Sequence, residues 1–173
     1  MPLVRGEYEC CTFLNCNFFE ANISQFVFID CQFTNCNFSL ANMSKTAFRE
    51  VRFKECNLLG VHFGECNTFG LAFEFDECRL NQASFYQLKI KKTRFKKCRL
   101  IETDFVESDL SNSYFINCDL SNAIFDRTNL GKCDFTTAHN YSIDPERNNL
   151  LGAKFSISGV AGLLQKYNIE IIE

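Results

Sequence analysis

Eleven cysteines and two histidines are the side chains of this 173-residue chain best suited to metal, redox or nucleophilic chemistry. Six of the cysteines, Cys16, Cys36, Cys56, Cys78, Cys98 and Cys118, are spaced by 20, 20, 22, 20 and 20 residues. A zinc site needs ligands that converge on a tetrahedron, whereas a fixed repeat spreads them along a line. An odd cysteine count with no apolar run of signal-peptide length argues against a disulfide framework. The pattern predicts buried free thiols that pack as small apolar groups. Cys10 falls outside it and has no basic or histidine neighbour to activate it. His62 and His139 are far apart, and neither adjoins a Ser or Cys nucleophile with an orienting carboxylate. No glycine loop of phosphate-binding type is present. The expectation is a protein that is not an enzyme and holds no metal or cofactor.

What spaces the cysteines is a five-residue rhythm. From Tyr8 a large apolar residue recurs every five positions (Phe13, Phe18, Ile23, Phe28, Phe33), weak only at Thr68, and resumes after a slip of two at Leu80, Phe85 and Ile90. Two residues before each stands a small or moderately apolar one (Cys11, Cys16, Ala21, Cys31 and so on), with Phe26 and Leu71 as larger exceptions. Every twenty residues the rhythm repeats as a phenylalanine ladder, read as Phe13, Phe33, Phe53, Phe73, Phe95, Phe115 and Phe135. Five fits neither the helical period of 3.6 nor the strand period of 2. It fits a coil with four sides per turn, both apolar residues inward, stacked at the ~4.8 Å strand spacing. This predicts an all-β rod over 1–137 with a register bulge at 75–77, and a terminal segment, 138–173, that closes it.

In that segment Val160, Leu163, Leu164 and Tyr167 fall at i, i+3, i+4 and i+7, which predicts a short C-terminal capping helix. Ile169, Ile171 and Ile172 follow as an extended apolar end. A solenoid end exposes its core unless capped, so these seven residues are also the expected contact of a homodimer.

The repeat resembles the pentapeptide-repeat family through Cys16-Asn17-Phe18, Ala21-Asn22-Ile23, Cys36-Asn37-Phe38, Cys118-Asp119-Leu120 and Cys133-Asp134-Phe135, across residues 6 to 137. The resemblance implies a right-handed quadrilateral β-helix. The stretch from Ser142 to Asn148 and the Ile169-Glu170-Ile171-Ile172 end are similar to the microcin-immunity branch, which belongs with the quinolone-resistance group. Members of that group are DNA-like in shape and charge. By resemblance the partner is a type II topoisomerase, DNA gyrase or topoisomerase IV, protected or modulated against quinolones or peptide toxins. A general protein-interaction scaffold is the alternative. The single short interruption makes the chain more similar to loopless members of the group than to those with two long loops.

The surface supplies two charged zones. Glu65, Glu102, Asp104, Glu107, Asp109, Asp119 and Asp126 form the acidic set expected to meet such a partner. Against it stand seven bases in eleven residues, Lys89 to Arg99, which read either as a solvated face with ladder ion pairs or as a contact for an anion, nucleic acid included. The formal net charge of −3 demands no particular partner, and no stretch is long and apolar enough to span a bilayer. Cytoplasmic residence is the expectation.

Overall fold

A unit of one large and one small inward residue needs a corner every fifth position. In the computed structural model, which describes residues 3–170 and 172, that corner is made in left-handed backbone: Asn15, Glu20 and Gln25 have φ of 54°, 51° and 64°, and the position recurs along the rod. Two bonds fix it. The Phe18 carbonyl accepts the Ala21 N–H at 3.0 Å, and Asn17 Oδ1 accepts the Phe19 N–H at 3.1 Å. This is a turn with φ > 0 at its third residue, preceded by an Asx turn. The same side-chain bond is made by Asn37, Asn42, Asp104, Asp109, Asp119 and Asp134, which explains the Asn or Asp before so many large residues.

The corners wind the chain into a right-handed quadrilateral β-helix of about six turns. On the first side β1 (Glu7–Glu9), β3 (Val27–Ile29) and β5 (Ala47–Arg49) pair in parallel. On the second side β2 (Thr12–Leu14), β4 (Gln32–Thr34), β6 (Val51–Lys54), β7 (Phe73–Asp76), β8 (Arg94–Lys96) and β9 (Tyr114–Ile116) form a six-stranded parallel sheet. Single bridges join the other two: Asn57, Arg79, Arg99 and Asp119 on the third side; His62, Ser84, Asp104 and Ile124 on the fourth. Inside, Phe33, Phe53, Phe75, Phe95, Phe115 and Phe135 stack with neighbouring rings 4.6–5.4 Å apart. Each such burial stabilises by about 1.5–3 kcal/mol.

Phe75, not Phe73, continues the ladder. The offset between turns is twenty at Ala47–Asn67 and twenty-two from Val51–Phe73 to His62–Ser84, so the two extra residues lie between 67 and 73, not at 75–77. Thr68 is turned outward with Phe69, and Gly70 takes the positive φ of +68° that lets the chain double back. Phe73 then swings into the position a small residue holds elsewhere, its ring 5.6 Å from Phe48 and 5.1 Å from Phe63. It occupies the interior that Thr68 leaves. Two phenylalanines two positions apart gave the five-residue count no means of choosing between them.

The capping segment is helical only as two 3-10 turns, Val160–Leu163 and Gln165–Tyr167. Two glycines account for this. A Cβ at Gly162 would stand 2.3 Å from the Tyr141 carbonyl oxygen, and one at Gly159 would stand 2.1 Å from the Tyr141 hydroxyl. The buried Tyr141 therefore requires glycine at both places, and glycine is a poor α-helix former.

Candidate interaction surface

The cysteines serve the frame. All eleven are free, and among the described residues no group of three or more His, Cys, Asp or Glu is placed to hold a metal ion. Inward thiols donate to corner carbonyls: Cys56 Sγ to Phe33 O at 3.4 Å, Cys78 Sγ to Phe53 O at 3.3 Å. Thr46, Thr103 and Thr128 do the same through hydroxyls at 2.7–2.9 Å. Where the small position carries a thiol or hydroxyl it can therefore also donate, which size alone did not reveal, while Ala41, Val51, Val61 and Ala83 fill it without a donor. Burial pushes the Cys66 and Cys133 thiols up to about 12, so they remain protonated and unreactive at neutral pH.

The acidic set divides among three sides. Glu65, Asp104, Glu107 and Asp126 stand on the fourth side, Glu102 and Asp119 on the third, and Asp109 on the first. Cations neutralise three of them. Glu107 pairs with Arg127, Asp126 with Arg147 at 2.6 Å, and Asp109 with Lys91 at 3.1 Å. A Gln87 hydrogen bond, with Arg127 beside it, holds the Glu107 carboxyl below its ordinary range. For Asp109, bonds from Ser111 and Lys91 outweigh the opposing effect of burial and lower it. Glu102 accepts from Gln82 at 2.8 Å and Asp104 from Ser84 at 3.0 Å, and among the described residues neither has a cationic partner. The two histidines do not meet: His62 is on the fourth side and His139 on the third.

The basic stretch wraps the other three sides of the turn that bears Asp104 and Glu107. Lys89, Lys91 and Lys92 lie on the first side; Arg94, Lys96 and Lys97 on the second; Arg99 on the third. Ion pairs engage Lys91 with Asp109, Lys96 with Asp76 at 3.1 Å and Lys97 with Glu77 at 2.7 Å. No member reaches the fourth side.

At the C-terminal end, Val160, Tyr167, Ile169 and Ile172 are exposed. Leu163 packs onto the chain's own core and Leu164 is half-buried; Ile171 lies outside the described residues. Leu151 and Ile157, outside the expected dimer set, are among the most exposed apolar side chains, at 79% and 96%.

A four-sided parallel coil with a small inward residue, often an Asx residue after it, and then a large inward residue in its units is the architecture of a pentapeptide-repeat solenoid. The pentapeptide repeat region family matches residues 7–74 and 72–155, and the chain belongs to that family. Among solved structures it is similar to full-length QnrB1, a plasmid-mediated fluoroquinolone resistance protein, with a TM-score of 0.69 and 20% identity over 94% of this chain and 90% of that one. A trypsin-treated QnrB1 variant matches with the same score and identity, over 96% and 92%. The comparison with curated proteins gave no match.

Proposed function

We propose that this protein is a non-enzymatic binding rod whose fourth side stands in for DNA on a type II topoisomerase, gyrase or topoisomerase IV. Bound there, it modulates or protects that enzyme against quinolones or peptide toxins. One observation carries the reading: the fourth side holds Glu65, Asp104, Glu107 and Asp126 with the Glu102 corner beside it, while all seven bases of the belt lie on the other sides. A saddle shaped for DNA would meet acids there without meeting the belt. The fold shared with a fluoroquinolone resistance protein supports the same reading. Exposed Val160, Tyr167, Ile169 and Ile172 support a homodimer through the C-terminal end, which doubles the length of the acidic side. A general interaction scaffold is the second reading, favoured by exposed Phe19, Leu40 and Leu59 on the third side.

A gyrase supercoiling and cleavage assay with and without a quinolone tests the proposal. Excess protein should inhibit supercoiling or reduce quinolone-stabilised cleavage, and Glu65→Gln, Glu102→Gln, Asp104→Asn and Glu107→Gln together should weaken the effect about tenfold. No effect at excess and no binding to the breakage-reunion subunit would reject it. Mass measurement at micromolar concentration settles the dimer: a monomer removes it.

A further inference from the structure

The belt is not consumed by the ion pairs that the stacking of turns offers it. Lys89 bridges Asp109 along the backbone, but that carboxylate is taken by Lys91. Arg94 stands opposite Glu74, which instead pairs with Arg52 at 3.3 Å. Arg99 bridges Asp119, whose Oδ1 already accepts from Ser121 at 2.6 Å and Asn140 at 3.0 Å. Among the described residues Lys89, Lys92, Arg94 and Arg99 have no acidic partner. Arg79 is likewise unpaired and sits in register directly below Arg99. Like charges stacked at strand spacing are destabilising, and an anion between them removes the penalty.

A second feature adjoins these cations. The two-residue insertion on the first side lifts Phe69 out of the rod, 74% exposed, one turn before Lys89. The Arg49 guanidinium lies 5.4 Å from its ring centroid and covers one face. The other face is free to stack. Between the insertion and the belt, Ala72, Phe73, Arg52, Lys91 and Lys92 line a shallow cavity of about 340 Å³ at the corner of the first and second sides, with Glu50 and Glu74 also on its wall.

We infer that the belt and Phe69 form a binding surface for single-stranded nucleic acid. Unpaired cations that follow a path, with an aromatic platform beside them, are the two parts such recognition uses: phosphates on the cations and a base on the ring. The convex shape selects the single strand. Duplex DNA, stiff over about 50 nm, touches a four-sided rod along one side and meets only the cations there. A flexible strand can turn the corners and reach Lys89, Lys92, Arg94 and Arg99 in sequence. The surface faces away from the fourth side, so this inference does not depend on the topoisomerase reading.

The test is fluorescence anisotropy of a labelled oligothymidylate of about 15 nucleotides. The parent protein should bind at low salt, with log K falling against log salt at a slope of about −3, from four single-strand phosphate contacts. Lys89→Glu, Lys92→Glu, Arg94→Glu and Arg99→Glu together should abolish binding. Lys45→Glu, Lys132→Glu and Lys154→Glu, a comparable charge change elsewhere on the rod, should leave it nearly intact. Phe69→Ala should weaken it about fivefold or more through lost stacking. Should the belt variant misfold by circular dichroism, Arg79→Gln with Arg99→Gln carries the same expectation of weaker binding. The inference is overturned by no binding from the parent protein, by equal losses in the belt and control variants, or by a duplex or polyglutamate binding as tightly as the single strand.

Discussion

The two ends of the rod meet water differently. At the N-terminal end the first turn lies open: Phe13, Cys16 and Phe18, with Leu3, Ile23 and Phe26, border a cavity of about 510 Å³. A short strap crosses part of it, held where the Tyr8 hydroxyl donates to the Val4 carbonyl at 2.6 Å. At the C-terminal end Phe135 is fully buried, stacked on Phe155 at 5.2 Å and roofed by Tyr141, Ile143 and the two 3-10 turns. Repeats alone give no reason for this asymmetry, since each turn buries its neighbours equally. It comes from residues outside the repeat. Closing one end also has a consequence for the surface, because Leu151 and Ile157 are left outward on the closed end.

The largest expected effect compares the same substitution in one ladder. Phe135→Ala should cost about 3–5 kcal/mol, because a sealed core cannot collapse around the cavity. Phe13→Ala should cost about 1–2 kcal/mol, because that ring is already partly in water. Urea unfolding monitored by circular dichroism gives both. Equal losses would mean that the N-terminal end is closed in solution, and the contrast between the ends would fail.

Two tyrosines sharpen the contrast by sign. Tyr8 donates a hydrogen bond, so Tyr8→Phe should destabilise by about 1 kcal/mol. The Tyr141 hydroxyl is buried against Gly159 with no hydrogen-bond partner among the described residues, so Tyr141→Phe should stabilise by about 1 kcal/mol. The two midpoints should move in opposite directions in thermal melts. A loss at both would show that Tyr141 finds a partner in solution and that the cap is less dry than its packing.

The coil itself was legible because one large residue every five leaves a single geometry that buries all of them, and twenty-residue spacing of the cysteines fixes the sides independently. Other features were not, or only in part. The position of the insertion depends on whether Phe73 or Phe75 packs straight, and both are equally apolar. Three of the seven expected acids are paired, and Asp109 shows why this escaped notice: its partner is Lys91, not the Lys89 that stacks beside it, since side-chain reach decides the match. The role of Asp104, Asp109 and Asp119 as turn acceptors was written in their place before each large residue, where Asn serves equally, so part of the acidic pattern is structural. The capping helix failed because side-chain periodicity is blind to what Tyr141 demands of the backbone at Gly159 and Gly162.

The smallest expected effect concerns pH. Lys166 Nζ bonds Asp144 at 2.6 Å and Glu146 at 2.7 Å, and Tyr167 donates to Glu146 at 2.9 Å. The Lys166 bond, with the Glu146 backbone N–H, holds the Asp144 carboxyl below its ordinary value; Lys166 and Tyr167 do the same for Glu146. A carboxyl lowered in the folded state gives stabilisation that is complete above its unfolded pKa, about 4, and is lost as pH falls through the folded one. Acidification from pH 6 towards 3 should therefore release the 165–167 turn. The N-terminal end should not respond in the same way, since no ion pair joins described residues 3–51 to one another. Amide exchange at Tyr167 and Asn168, whose N–H groups bond Leu164 and Gln165, reads this after correction for intrinsic rates. Protection there should fall with pH in the parent chain, and in Lys166→Met it should be low already at pH 6 and flat below. If protection in the parent chain stays constant to pH 3, packing on Tyr141 alone holds the cap, and the clamp contributes nothing to the difference between the ends.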